Sequence, residues 1–533
     1  MPRTFFRPAG LCCHKRTWEA PLTGRTDSHC AESQADVIAF LGNPASHAGA
    51  DRVETITTHA SMIFLAGDRA YKLKRAVTYS FLDYGTLDQR ETACRAELAL
   101  NRRIAPKLYL GVRAIRRRAD GRLGWDGEGA AADWVVEMQR FPQQALFSHL
   151  VEAGGLTPPL MRATADAVVA FHQLAETTPA FGGAEGIAAV IRINDENMRE
   201  VLPPSVPLAG IDRLAGAVAL AFERHRPLLE ARRIAGKVRR CHGDLHLGNI
   251  ALIDNRPTLF DGVEFSDIIA CTDVLYDLAF LLMDLVHRGQ DGLANIVFNR
   301  YLDRADEADG LALLPLFLSL RAGVRTHVTA RAALPKPSPD AVAYFARAVA
   351  LLRPVPPRLI AIGGLSGTGK STLAAALAAG VGQAPGARLL RSDVLRKRHF
   401  GLAPEQKLPA AAYQPEINDL IYRRLMDATR AALAAGYSVI LDAVAAKPGE
   451  RDAFAALAVA AGVPFTGLWL EADPAVLRAR LEQRRNDASD ADVAVLRQQL
   501  DYDLGPLAWH RLDASGDPAE VAAAACQVLD VPA

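Results

Sequence analysis

The 533-residue chain is 50% hydrophobic and 23% charged, with 61 Lys and Arg against 60 Asp and Glu. That length implies two to four domains with ample core, and the apolar half of the composition excludes a disordered chain. The charge balance holds locally, with 20 residues of each sign from Arg353 onward, which excludes a polybasic module built to coat nucleic acid or an anionic membrane.

Residues 1–30 are mildly basic but lack the apolar core of a secretory signal. They read as an unstructured leader or as the product of a start codon placed too early, and 1–36 is the expected disordered leader. Seven scattered cysteines with no C-x-x-C pair fit a reduced, cytoplasmic protein. No uninterrupted apolar run reaches the roughly 18 residues that cross a bilayer; the best, 274–286 and 311–320, are short. No membrane partner is expected.

Strand character at 53–65 and 70–76, separated by the turn Ala66-Gly-Asp-Arg69, is followed by a helix over 86–103. Further strands at 108–118 and 134–141 precede a region, 157–352, that is mostly helical. This predicts one domain over 37–352, with a small lobe at 37–145 and a helical lobe at 146–352. In the strand 70–76, Lys72 and Lys74 share a face, and the helix after it carries Glu91 and Glu97. Lys72 with Glu97 is the expected pair for holding the α- and β-phosphates of a nucleotide.

Cys241-His242-Gly-Asp244-Leu-His246-Leu-Gly-Asn249 has the H-x-D-x-x-x-x-N spacing of a kinase catalytic loop. Asp244 can accept the proton of an attacking hydroxyl, and Asn249 can bend back to a Mg²⁺ on the phosphates. Twelve residues later Leu259-Phe-Asp261-Gly262 ends a strand in an acid, the expected principal metal ligand. These residues, with Phe171-His172 and Asp273 to Asp277, resemble the aminoglycoside phosphotransferase-like family, a small-molecule branch of the protein-kinase-like fold. The resemblance runs over about 37–352. It departs from the protein-kinase pattern before Lys72, where Glu54-Thr-Ile-Thr-Thr58-His59-Ala-Ser61 stands in place of G-x-G-x-x-G. His172 reads as structural rather than as a ligand. The acids Asp303, Asp306, Glu307 and Asp309 read either as a solvated loop or as a patch for a polycationic acceptor.

Arg353-Pro-Val-Pro-Pro-Arg358 forbids helix, so 353–357 is the expected linker to a P-loop domain at 358–533. Gly364-Leu-Ser-Gly-Thr-Gly369-Lys370-Ser371 fits G-x-x-x-x-G-K-[ST] between a strand at 359–362 and a helix at 371–379. Gly364, Gly367, Thr368, Gly369, Lys370, Ser371 and Thr372 are the nucleotide-binding candidates, with Ser371 also a Mg²⁺ ligand. The segment 389–393 reads as a strand ending in Asp393, a candidate base, with Arg396 one helical turn on to hold the acceptor. A second strand, 436–442, ends in Asp442, suited to Mg²⁺, and a later helix carries the lid candidates Arg480, Arg484 and Arg485.

These segments resemble the small-molecule kinase branch of P-loop proteins, which includes gluconate kinase, zeta toxin and chloramphenicol phosphotransferase. The resemblance implies that Asp393 is the base for the acceptor hydroxyl. The order of the two modules resembles a bacterial group of fused proteins with an aminoglycoside phosphotransferase-like domain and an ATP-binding domain. The expected architecture is thus mixed, α/β and α+β: a bilobal kinase-like domain followed by a parallel-sheet nucleoside-triphosphate-binding domain. The expected activity is ATP- and Mg²⁺-dependent transfer to hydroxyl groups of small molecules at two sites. Two alternatives stand: a nucleotide-sensing module that governs the other, and a nucleic-acid 5′-hydroxyl kinase in the C-terminal module. Trp469 and Trp509 are the only tryptophans from Arg353 onward, where the net charge is zero, so nucleic acid is disfavoured.

Overall fold

A computed structural model of the chain describes residues 33–531 apart from 59, 80, 81, 204 and 484–487. The expectations for the leader and for Arg484 and Arg485 therefore lie outside the described residues. The chain divides into two compact units: the described part of Met1–Arg95 with Gly111–Glu137, and Ala96–Leu110 with Met138–Ala533.

The first unit opens with helix α1 (Ala35–Gly42) and is built on a six-stranded sheet. Its strands are β1 (Val53–Thr57), β2 (Ser61–Ala66), β3 (Arg69–Lys74), β4 (Tyr109–Arg117), β5 (Leu123–Trp125) and β6 (Ala130–Gln139), in the order β1-β2-β3-β6-β4-β5. The turn at Gly67 and Asp68 is as expected, but the single strand read at 53–65 is a hairpin of β1 and β2. Thr58 makes that bend without glycine: its hydroxyl donates to the Ser61 carbonyl and accepts from the Ser61 N–H. Gln34 ties the N-terminal segment to the sheet through the Lys74 carbonyl and Asp133. The buried Arg90 of α2 (Leu87–Arg102) donates to Asp133 at 2.9 Å. Lys72 and Lys74 are buried on β3.

The second unit holds two layers of chemistry. Its helical part contains α3 (Pro158–Leu174), α4 (Gly183–Val201) and α5 (Leu208–Ile234), then the short strands β7 (Val238–Arg240), β8 (Ile250–Ile253), β9 (Arg256–Leu259) and β10 (Cys271–Asp273). The helices α6 (Val274–His287), α7 (Asp291–Arg304), α8 (Leu314–Ala333) and α9 (Pro339–Leu351) follow. Capping is legible in the chain: Thr157 accepts from the Leu160 N–H ahead of Pro158, and Ser338 accepts from Ala341 ahead of Pro339. Helix Ala308–Ala333 is long and apolar enough to cross a membrane by composition alone, yet 67% of its apolar window is buried. It is a core helix, in which Ser319 and Arg321 break the apolar run and find buried partners.

The remainder is a parallel sheet of β11 (Leu359–Gly364), β12 (Arg388–Arg391), β13 (Val439–Asp442), β14 (Phe465–Glu471) and β15 (His510–Asp513), in the order β12-β13-β11-β14-β15. Every pairing in it is parallel, which fits the continuous apolar run and complete burial of β11. Side chains alternate between two cores. Leu359 and Ala361 join the core of the helical part, whereas Ile360 and Ile362 pack with α10 (Lys370–Ala378) and α16 (Pro518–Leu529). Between those helices lie α11 (Ser392–His399), α12 (Pro415–Ala434), α13 (Pro448–Ala461), α14 (Pro474–Gln483) and α15 (Val493–Leu500).

The helical part and the parallel sheet share one core, and α7 covers the edge strand β12. Asn299 Oδ1 accepts from the Leu389 N–H at 2.8 Å, and the Asn295 and Asn299 side-chain amides donate to the Ala387 carbonyl at 3.1 Å. Arg388 pairs with Asp303 at 2.6 Å, and Phe298 stacks on Tyr437 at 5.5 Å. An edge that would otherwise present unpaired backbone groups is thereby closed. The acids Asp303, Asp306, Glu307 and Asp309 are each ion-paired: Asp303 and the exposed Asp306 with Arg388 and Arg398, and Glu307 and the exposed Asp309 with the buried Arg232.

Candidate active sites

The first site is a loop held from behind. Asp277 on α6 is fully buried and accepts from the N–H groups of His242 and Gly243 at 3.1 and 2.8 Å. His172 Nε2 lies 3.0 Å from the same carboxylate, and its Nδ1 lies 2.8 Å from the Tyr301 hydroxyl on α7. His172, Cys241 and Asp277 are close enough to suggest a metal site. These hydrogen bonds make His172 and Asp277 a brace for the loop. Arg321 of α8 completes the brace, donating to the Gly243 carbonyl at 3.0 Å and to the Tyr276 carbonyl at 3.1 Å while stacking on Tyr276 and Phe280.

On the front of the loop, Asn249 Nδ2 donates to the Asp244 carbonyl at 2.9 Å and to its carboxylate at 3.0 Å. That leaves Asn249 Oδ1 as the atom able to ligate a cation. The Gly248 N–H donates to His246 Nδ1 at 3.0 Å, which directs Nε2 at Asp244 Oδ2, 3.4 Å away. Desolvation acts to raise the Asp244 carboxyl, but His246, His242 and Arg321 together hold it well below the usual carboxylate range. Asp261 sits at φ +62, a left-handed conformation that its neighbours fix. Its N–H donates to the Tyr109 hydroxyl at 3.0 Å, and the next N–H, of Gly262, donates to Asn101 Oδ1 at 2.9 Å. Phe260 N–H donates to the Asn249 carbonyl at 3.1 Å, which joins the two candidate metal ligands through backbone. Glu97 is fully buried in the same unit.

The second site is the turn from β11 into α10. Gly364, Gly367 and Gly369 have φ of +140, +89 and +88. A Cβ on Gly364 would meet the Leu470 carbonyl at 2.6 Å, and one on Gly367 the Leu477 carbonyl at 2.9 Å. Thr368 Oγ1 and Lys370 Nζ both donate to the Leu365 carbonyl, at 2.8 and 2.9 Å. Gln499 of α15 accepts from the Ser366 N–H at 2.8 Å. Thr372 is exposed in the first turn of α10. Ser371 Oγ donates to Asp442 Oδ2 at 2.6 Å, an oxygen pair that suits a hard cation such as Mg²⁺. Arg391 reaches both, donating to Asp442 Oδ2 at 3.0 Å and to Ser371 Oγ at 2.8 Å.

Asp393 does not end a strand as its sequence context suggests. β12 stops at Arg391, and Asp393 lies in the first turn of α11. Burial, with Asp442 adding to it, raises its carboxyl against the opposing pull of Arg391, Ser489 and Arg396. Arg396 is buried, stacks on Tyr413 at 4.8 Å and donates through Nη1 to the Ala412 carbonyl. Among the described residues its Nε has no acceptor. Arg480 donates to the carbonyls of Ala514, Ser515 and Gly516, so it anchors the loop between β15 and α16.

The family model "Phosphotransferase enzyme family" matches residues 85–314, and the model "AAA domain" matches 359–503. An uncharacterized protein of Mycobacterium tuberculosis is 30% identical over 478 residues, which cover 87% of this chain and 93% of the relative. A Mycobacterium bovis protein matches equally. The chain belongs to the family of these proteins. In this chain a phosphotransferase module precedes a P-loop kinase module, and both modules point to ATP-dependent phosphoryl transfer to small molecules. Among solved structures, a sugar kinase from Janibacter is 24% identical, covering 33% of this chain and 96% of its own, at a TM-score of 0.26. A choline/ethanolamine kinase family protein from Mesorhizobium loti is 16% identical, covering 57% and 90%, at a TM-score of 0.36. Likenesses of that size say nothing of the acceptor.

Proposed function

We propose that this family member is a phosphotransferase with two nucleotide sites, each passing the γ-phosphoryl group of ATP to a hydroxyl of a small molecule. The observation that carries the reading is a recurring set of parts. Each module has a carboxylate that can serve as the base, Asp244 or Asp393, and oxygen atoms that can take Mg²⁺, from Asn249 with Asp261 or from Ser371 with Asp442. Lys370 with the amides of Gly367, Thr368 and Gly369 holds the phosphates in the second module, and Lys72 and Glu97 are each nucleotide-binding candidates of the first. Mg²⁺ supplies neutralisation of the phosphate charge. The base takes the hydroxyl proton as the acceptor oxygen bonds to the γ-phosphorus, and the bond to the β–γ bridging oxygen breaks to leave ADP. The buried Arg396 Nε would be satisfied by an oxygen of the acceptor. Arg484 and Arg485 remain lid candidates.

Equilibrium dialysis with ATP and Mg²⁺ tests the reading. Two nucleotides should bind per wild-type chain, and one per chain of Asp261→Asn or Lys370→Ala; one or none in the wild type would contradict it.

A second reading, in which one module senses nucleotide and governs the other, is favoured by α7. Through Tyr301 and His172 that helix braces the 242–249 loop, and through Asn299 it holds the strand leading to Arg391. It requires that nucleotide affinity at the remaining site differ between wild type and Lys370→Ala.

A further inference from the structure

Arg391 sits where its charge matters most. As the last residue of β12 it has one guanidinium nitrogen on Asp442 Oδ2 and another on Ser371 Oγ, while those two oxygens are themselves 2.6 Å apart. Its side chain is 21% exposed and that of Asp442 6%, so water screens this cluster poorly. A Mg²⁺ ion held by the same oxygens would stand at about 2.0–2.1 Å from each, and would meet there the like charge of a guanidinium that already donates to both.

We propose that Arg391 is a positioning residue that competes with the divalent cation for Ser371 and Asp442, so that metal–nucleotide binding releases its guanidinium. The residue lies two positions before Asp393 and touches the P-loop serine. The released cation therefore stands between the candidate base and the phosphates, where negative charge develops during transfer. This role rests on the P-loop reading above, in which Ser371 and Asp442 take Mg²⁺.

The test is the Mg²⁺ concentration that half-saturates binding of a fluorescent non-hydrolysable ATP analogue by the full chain. It is run in an Asp261→Asn background so that the first module's cation site is silent. Losing two charge-assisted competing hydrogen bonds should lower the Mg²⁺ midpoint of Arg391→Ala by about tenfold, with Arg391→Lys in between. A purely structural role would leave the midpoint unchanged or raise it, and either result in both variants overturns the proposal. If the parent chain shows no Mg²⁺-dependent binding that Lys370→Ala abolishes, the P-loop reading itself fails, and this inference with it. Once an acceptor is in hand, kcat of Arg391→Ala should fall while its Mg²⁺ requirement also falls. Opposite signs of that kind do not arise from a loosened fold.

Discussion

Single residues set the geometry of both sites by excluding alternatives. Gly364 combines φ +140 with a Leu470 carbonyl 2.6 Å from any added Cβ, so Gly364→Ala must displace the turn that aims the P-loop amides. The expected result is loss of the second nucleotide in dialysis with an unchanged circular dichroism spectrum; two nucleotides retained would contradict it. The motif residues Asp244, Asn249, Lys370 and Ser371 are legible in the sequence because their spacing within one loop carries the chemistry. The residues that orient them are not. Gln499 meets Ser366 across 133 positions, Asn101 meets Gly262 across 161, and Arg391 meets Asp442 across 51. Nothing local marks any of the three as part of a site.

Elements were readable where burial is uniform and obscure where side-chain hydrogen bonds make the turn. β11 announces itself by a continuous apolar run that ends in glycine. The β1–β2 hairpin hides because Thr58 closes it with its own hydroxyl. Asp393 reads as the end of a strand, but the chain turns into α11 one residue earlier. Two elements carry stability predictions. Arg232 on α5 meets Asp273, Glu307 and Asp309, each at 2.7 Å, and Arg232→Met would leave the buried Asp273 without its cation while Glu307 keeps Lys237 at 3.0 Å. It should cost about 3 kcal/mol in chemical denaturation; a loss under about 1 kcal/mol would mean that the acids find other partners. His327 on α8 is pushed down to about 4 by burial, with Arg331 adding to it. The unfolded chain therefore binds a proton that the folded chain refuses, and stability is lost as pH falls from the ordinary histidine range towards 4. Between about pH 7 and about pH 4.5 the wild type should lose about 2 kcal/mol more than His327→Gln. Parallel pH curves would contradict this.

At the scale of the molecule, the exposed proline-rich stretch 353–357 connects parts that are joined by much more than the chain. The contacts of Asn295, Asn299, Phe298 and Asp303 with β12 and Tyr437 form part of one continuous core. A protease site introduced at 353–356 should give two fragments that still elute together from a sizing column. Asn299→Ala combined with Arg388→Ala should weaken that association, and separation of the parent fragments would show that the linker alone holds them. If each module transfers phosphate to an acceptor of its own, incubating γ-labelled ATP and a metabolite extract with wild type, Asp244→Asn and Lys370→Ala and resolving the labelled products separates the two activities. Each substitution should remove a different labelled product; an identical product set from all three proteins would show that the modules do not act on separate acceptors.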